Sequence, residues 1–290
     1  MYKQVISIAA LVGLAGTALA QDVAIVAAAG SAGASGVETV LQDSGAFDSV
    51  TNIDLQSTTP TLAELEAFDS VIVWTNLTPT DPVAFGDNLA DYVDGGGGVV
   101  VAVFANSSTT TDRDISGRWR GNPDYEVIVP RSGNQSGPAS LGAILDPSHP
   151  IMDGVASFFG GTSSFRPNVT DLNPGATAIA EWDDGRVLVA IGANPNRVDL
   201  GFYPPPSTVS ASFWDIGTDG DLMLVQSLLF AAGGGCRADL DGDGSLTIFD
   251  FLAFQNLFDS GDPLADFDGD GDLTIFDFLA FQNEFDAGCE

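Results

Sequence analysis

Positive charge is what this chain has least of. Nine lysines and arginines face 40 aspartates and glutamates, and the formal net charge is −31 at pH 7 over 290 residues. Such a surface repels nucleic acid and anionic lipid, which excludes phosphate-backbone binding as a role. Lys3 is the only lysine and His149 the only histidine. With a single imidazole, a histidine-based zinc site or a histidine general base is hard to assemble. Only two cysteines are present, Cys236 and Cys289, so residues 21–232 contain no thiol and Cys–His catalysis there is excluded. Long hydrophobic runs are missing too: no segment after residue 20 is long and apolar enough for a membrane helix.

What is present begins with a leader-like segment. Residues 1–20 combine Lys3, an apolar stretch from Ile6 to Leu14 and the small-x-small site Ala18-Leu19-Ala20. This reads as a secretory signal, and the mature chain is expected to be secreted or attached at the cell surface. A 44% apolar content permits a real core.

Residues 21–232 alternate strand-like and helix-like segments. Val23–Ala29 is a continuous apolar run ending at Gly30, as a buried parallel strand would be. Gly36–Leu41 reads as a helix start, and Ser49–Leu55 as a second strand. Thr61-Leu62-Ala63-Glu64 is a capping box opening a helix that ends near Phe68. Val71–Trp74 is a third strand, Asp81-Pro82 starts a helix stopping at Gly95, and Gly98–Phe104 is a fourth strand. The rhythm predicts an α/β domain with a mostly parallel sheet and helices on both faces. Residues 105–170 are loop-rich. Ala176–Trp182 and Arg186–Gly192 flank Asp183-Asp184-Gly185 as a hairpin, Val198–Tyr203 is a further strand, and Leu222–Phe230 is a closing helix. Gly233–Gly235 reads as a short linker to a small domain at 236–290.

That small domain carries the sharpest signal. Residues 239–256 read DLDGDGSLTIFDFLAFQN and residues 266–283 read DFDGDGDLTIFDFLAFQN. Each starts with D-x-D-x-D-G, in which carboxylates at alternate positions turn inward around a hard cation and glycine permits the sharp turn. The expected metal set for two calcium ions is Asp239, Asp241, Asp243, Asp250 and the carbonyl of Ser245 in the first loop. In the second it is Asp266, Asp268, Asp270, Asp277 and the carbonyl of Asp272. Gly244 and Gly271 hold the sixth position, and Thr247 and Thr274 the water-bridged ninth. Phe251, Phe254 and Phe258, and equally Phe278, Phe281 and Phe285, recur at helical spacing after each loop and are expected to pack helix on helix. Cys236 and Cys289 bracket the repeat. A disulfide there would contribute roughly 4 kcal/mol in a chain-entropy estimate, with two free thiols as the alternative.

Residues 236–289 resemble a dockerin module, a duplicated loop–helix unit that lacks the helix before each loop. Asp250 and Asp277 at the twelfth position match that pattern, and the flanking cysteines, with Gly288-Cys289 near the end, are similar to the GC-type variant. The resemblance implies calcium binding and attachment to a cohesin-like or other extracellular receptor. Loop positions ten and eleven depart from the small polar recognition residues frequent in dockerins: they are Ile248-Phe249 and Ile275-Phe276. Residues 22–232 more loosely resemble the glutamine-amidotransferase-like, flavodoxin-like folds that include trehalose-utilisation-type proteins. The matching stretches are VIVWTN (71–76), YVDGGGGVVVAVF (92–104), HPIMDGV (149–155) and GRVLVAIG (185–192).

The resemblance leaves two readings of function. One is a secreted, non-catalytic α/β unit that binds a ligand or partner and is anchored by the calcium module. The other is an extracellular polysaccharide-degrading hydrolase, with carbohydrate as its substrate, anchored in the same way. Candidate chemistry is sparse. Ser107 and Ser108 follow the fourth strand and read as a surface loop. His149 reads as a loop-shaping residue. Arg118, Arg120 and Asp124 read as ion pairs rather than a ligand cleft, and Glu181, Asp183 and Asp184 as a hairpin tip rather than a carboxylate pair.

Overall fold

A computed structural model describes residues 21–110, 112–233, 238, 240, 246–261, 265, 267 and 273–287. The leader reading at residues 1–20 lies outside them. Among the described residues no helix is long and apolar enough to cross a membrane.

The α/β unit is built on eight strands. In chain order its first half runs β1 (Asp22–Ala28), α1 (Ser31–Ser44), β2 (Ser49–Asp54), α2 (Leu62–Leu65), β3 (Ser70–Thr75), α3 (Pro82–Asp94) and β4 (Gly98–Ala102). The second half has β5 (Asn134–Gln135), β6 (Leu141–Ile144), a 3-10 turn at Pro150–Met152, β7 (Arg166–Pro167), β8 (Thr177–Trp182), β9 (Val187–Ile191), β10 (Arg197–Leu200) and α4 (Gly220–Gly233). The sheet order is β2-β1-β3-β4-β10-β9-β8-β6, and β5 pairs with β7 apart from it. From β2 to β10 the neighbours are parallel; from β10 to β6 they are antiparallel. The mostly parallel α/β sheet read from the sequence is thus the observed one, extended by an antiparallel flank.

Strand alternation explains the layers. Val23, Ile25, Ala27 and Ala29 face α1 and α4 together with Ile72, Trp74 and Val100. Ala24, Val26 and Ala28 face the other way with Val71, Val73, Val99 and Val101, against Phe85, Leu89 and Val93 of α3. Both faces are dry, so the strands read as unbroken apolar runs.

Local signals set the helix ends. Asp81 Oδ1 accepts from the amides of Val83 and Ala84 at 3.1 and 3.0 Å, with Pro82 in the first position of α3. The Thr61–Glu64 capping box forms as read, though α2 is a single turn. α1 differs from expectation by starting at Ser31. Its Gly- and Ser-rich opening is small because the helix lies against a proline-rich segment: Gly33 faces Pro205 and Gly36 faces Val209. β4 stops at Ala102, two residues earlier than read, because the chain turns so that Ser107 and Ser108 both donate their amides to the Phe104 carbonyl. β10 likewise ends at Leu200, and Gly233, read as linker, is the last residue of α4.

Two further helices, α5 (Ile248–Ser260) and α6 (Ile275–Ala287), follow the two acidic loops. Their apolar cluster draws only on residues 238–285.

Residues 113–118 lie against α3 at Gly86. A Cβ there would land on the Ser116 carbonyl oxygen. Glycine to alanine inside a helix ordinarily stabilises by about 1 kcal/mol. At Gly86 the sign is expected to invert: Gly86→Ala should destabilise by about 1–3 kcal/mol through overpacking, read as a drop in the thermal midpoint of the α/β unit.

Candidate functional site

The loop–helix repeats are described from their C-terminal halves. Thr247 caps α5: Phe249 N donates to Thr247 Oγ1 at 3.1 Å, and Asp250 Oδ2 accepts from Thr247 N at 2.7 Å. α6 repeats this, with Phe276 N to Thr274 Oγ1 at 3.1 Å and Thr274 N to Asp277 Oδ2 at 2.6 Å. Asp250 and Asp277 are both fully buried. A buried carboxylate is costly unless it is hydrogen-bonded or neutralised. A carboxylate pulled inward at the twelfth position, beside a run of alternate aspartates, is the donor chemistry a hard cation takes, so these residues fit calcium. Asp239, Asp241, Asp243, Ser245, Asp266, Asp268, Asp270 and Asp272 lie outside the described residues, as do Cys236 and Cys289.

Behind the caps the rings pack as a cross-helix pair. Phe254 and Phe281 stack at 4.5 Å and 15°, and Phe267 meets both edge-on at 5.6 and 5.3 Å. The first turns face outward instead. Ile248, Phe249 and Leu252 are 62%, 63% and 46% exposed; Ile275, Phe276 and Leu279 are 63%, 62% and 46% exposed. The two repeats therefore show the same three apolar side chains to solvent.

In the α/β unit the residues singled out from the sequence prove mostly structural. His149 Nδ1 accepts from the amide of Ile151 at 3.2 Å, its ring lies 4.7 Å from that of Phe230, and burial pushes its pKa down. It shapes the 3-10 turn, as read. Arg118 pairs with Asp91 and Asp94, and Arg120 with Asp114. Asp124 takes no part in these pairs; its amide donates to Asn122 Oδ1. Asp184 lies at the hairpin tip between Arg166 and Arg186, whose hydrogen bonds and charges hold its carboxyl below the usual range against the opposing effect of burial. Asp183 anchors that tip through its amide to the Ser140 carbonyl, and Glu181 lies on the preceding strand β8, so the turn read from the sequence is where the structure places Asp183 and Asp184. Ser107 and Ser108 correct the surface-loop reading. They are buried because the chain folds back over the sheet, and Ser107 Oγ donates to Asn134 Oδ1 at 2.5 Å.

One cluster escaped the sequence reading. Arg197 and Asp199 are both buried on the α3-side face of β10, with Arg197 Nη2 2.8 Å from Asp199 Oδ1. Arg197 also donates to the carbonyls of Tyr125, at 2.7 Å, and Val99, and its guanidinium lies 4.7 Å from the Trp119 ring centre. Asp199 Oδ2 accepts from Ile128 N at 3.1 Å. The pair straps residues 119–128 onto the sheet. A cavity of about 10 Å³ beside it, lined by Asn106, Glu126, Arg197 and Asp199 among others, has room for one water. Its signal was a pair of opposite charges at i and i+2 inside an otherwise apolar strand, which places both on one face.

No protein-family model matches the chain, and no curated protein is similar to it. Among solved structures, the fold is similar to that of a ThuA-like protein from Bacteroides uniformis, with 14% identity and a TM-score of 0.53, covering 76% of this chain and 95% of that one. A GMP synthase component from Thermoplasma acidophilum aligns at 12% identity and a TM-score of 0.46, over 73% and 94% of the two chains. A glutamine amidotransferase from Thermotoga maritima aligns at 10% and 0.43, over 66% and 78%. At this identity the first likeness shows the fold alone, a flavodoxin-like α/β unit.

Burial, opposed by Arg197, pushes the Asp199 carboxyl up from 3.8 to about 6. Between those values the folded state holds more protons than the unfolded one, so this group's contribution to stability falls as pH rises from about 4 to 6. Asp199→Asn is expected to flatten that part of the stability–pH curve. Arg197→Met, which strands a buried carboxylate, should cost about 3–5 kcal/mol; urea denaturation at pH 5 and 7 measures both.

Proposed function

We propose that this is a secreted protein in which two calcium-ordered loop–helix repeats dock onto an extracellular receptor and carry an α/β unit that binds rather than transforms its ligand. The observation that carries the docking role is the duplicated apolar triplet, Ile248-Phe249-Leu252 and Ile275-Phe276-Leu279, left outside a core that has room for Phe254, Phe267 and Phe281. Leaving such side chains in water forgoes about 1.5–3 kcal/mol each for the larger ones, and grouped apolar exposure marks an interaction surface. Residues 236–290 contain 14 acidic residues and one basic residue. The receptor surface that fits is therefore an apolar patch rimmed by basic side chains. Ile–Phe in place of small polar recognition residues argues for a greasier receptor groove than the usual cohesin partner offers.

Calcium is the ion this reading requires. Carboxylates at loop positions one, three, five and twelve, with a glycine at six, would supply a hard oxygen donor set in both repeats. A domain of about 55 residues is marginal by core burial alone, and ion binding would then contribute directly to its folding. The bracketing cysteines support a covalent closure in an oxidising compartment. The non-catalytic reading of the α/β unit rests on its lack of cysteine and on the interior, structural placement of Ser107, Ser108 and His149.

Calcium titration of the full chain is expected to release heat and increase helical signal. Chelator should lower the melting of the tail while leaving the α/β transition in place, and Asp241→Asn with Asp268→Asn should mimic the chelator. Receptor capture from the native secretome should need calcium and be lost in Phe249→Asp with Phe276→Asp. Absence of both heat and helical gain would refute the reading.

A further inference from the structure

His149, the single histidine of the chain, holds its turn by accepting a hydrogen bond, and a protonated imidazole cannot accept one. The ring is the N-cap of the 3-10 turn Pro150–Met152, and Nδ1 takes the amide of Ile151 at 3.2 Å. With Nδ1 accepting, the neutral ring carries its proton on Nε2. Ile151 is fully buried, so its amide has no ready exchange of this acceptor for bulk water.

The turn supports the closing helix. Ile151, Met152 and Val155 are buried in the same apolar cluster as Met223, Leu224 and Leu228 of α4. Two further contacts fasten turn to helix. The His149 ring lies 4.7 Å from that of Phe230, tilted by 52°, and Gln226 Nε2 donates to the Asp153 carbonyl at 2.8 Å. α4 ends at Gly233, and from there the chain runs on towards the acidic repeats.

The charges around the ring are few. Burial disfavours its protonated form, and Asp146 opposes that effect. Hydrogen bonds from Ser148 hold the Asp146 carboxyl below its usual range, so it stays ionised in mild acid. Asp153 follows the turn. Asp219 and Asp221 stand at the start of α4, more than two turns from Phe230, and the stretch from Gln226 to Gly233 has no charged residue. Glu181 lies on β8, whose Ile179 carbonyl takes the amides of Leu145 and Asp146. Among the described residues Asp146 is the charge that acts on the ring. The tilted Phe230 ring attracts a cation, but it offers the Ile151 amide no acceptor.

We propose that His149 is an acid-sensitive latch: when the ring takes a proton, Nδ1 turns from acceptor to donor, the Ile151 amide loses its partner, and the 3-10 turn releases the last turns of α4. By linkage, a histidine whose folded pKa lies below its model value of 6.5 stabilises the closed turn in full above 6.5, and that contribution is lost as pH falls. Between the two values the ratio of open to closed turn rises by up to about tenfold per pH unit. The latch depends neither on the calcium repeats nor on the ligand of the α/β unit.

The test is amide hydrogen exchange on the full chain, with the His149 ring titrated in parallel by NMR, from about pH 7.5 down to about pH 5. Rates are divided by their intrinsic values, which themselves change with pH. The ring is expected to titrate below 6.5. Protection at Ile151, Met152 and Phe230 should then fall by up to about tenfold per pH unit, while the amides of β1 and β3 keep theirs. Asparagine is a good N-cap acceptor that does not titrate, so His149→Asn should hold the turn across the whole range. A ring that titrates at or above 6.5, protection that does not fall with acid, an equal fall in β1 and β3, or a His149→Asn chain that keeps the acid response would overturn the latch. The first three are read on the unaltered chain and decide the matter whether or not the variant folds.

Discussion

Arginine is spent sparingly in this chain, and where it goes determines what the rest can do. Six of the seven arginines in the described residues sit in ion pairs, and three of them, Arg120, Arg131 and Arg197, serve carboxylates that folding buries in the α/β unit. Asp114, 2% exposed, is held by Arg120 and Arg131; Glu126 by Arg131; Asp199 by Arg197. Each of these buried charges would cost several kcal/mol without its partner. Asp114, Glu126 and their arginines fall in the irregular stretch after β4, and Arg197–Asp199 on β10 lies beneath it. Charge pairing there does what helices do elsewhere: it clamps a covering layer onto one face of the sheet.

The tail has no such supply. Its 55 residues contain one arginine, so the carboxylates that crowd its two loops cannot be neutralised from within. Asp250 and Asp277 are nonetheless drawn fully inside, each meeting an amide at the start of its own helix. Under the calcium reading, the same shortage that makes the surface repulsive makes the tail dependent on an outside cation. The ion would then set the angle at which each helix leaves its loop, and with it the face carrying the Ile–Phe pairs.

Much of this was legible in the sequence. β1, β3 and β4 could be read as buried strands because both faces of the sheet are covered, so apolar residues run without interruption. Thr61–Glu64 and Asp81–Pro82 marked helix starts through local chemistry that needs no tertiary context. The start of α1 was hidden because Gly33 and Gly36 look like a turn in sequence and are small for another reason, close approach to Pro205 and Val209, residues about 170 positions away. Ser107 and Ser108 were misplaced for a related reason. Polar residues after a strand suggest a surface loop, and only the fold-back of the covering segment buries them. Arg197–Asp199 belongs to the same class: strand alternation fixes the face, but the further partners, Tyr125, Ile128 and Val99, come from far along the chain.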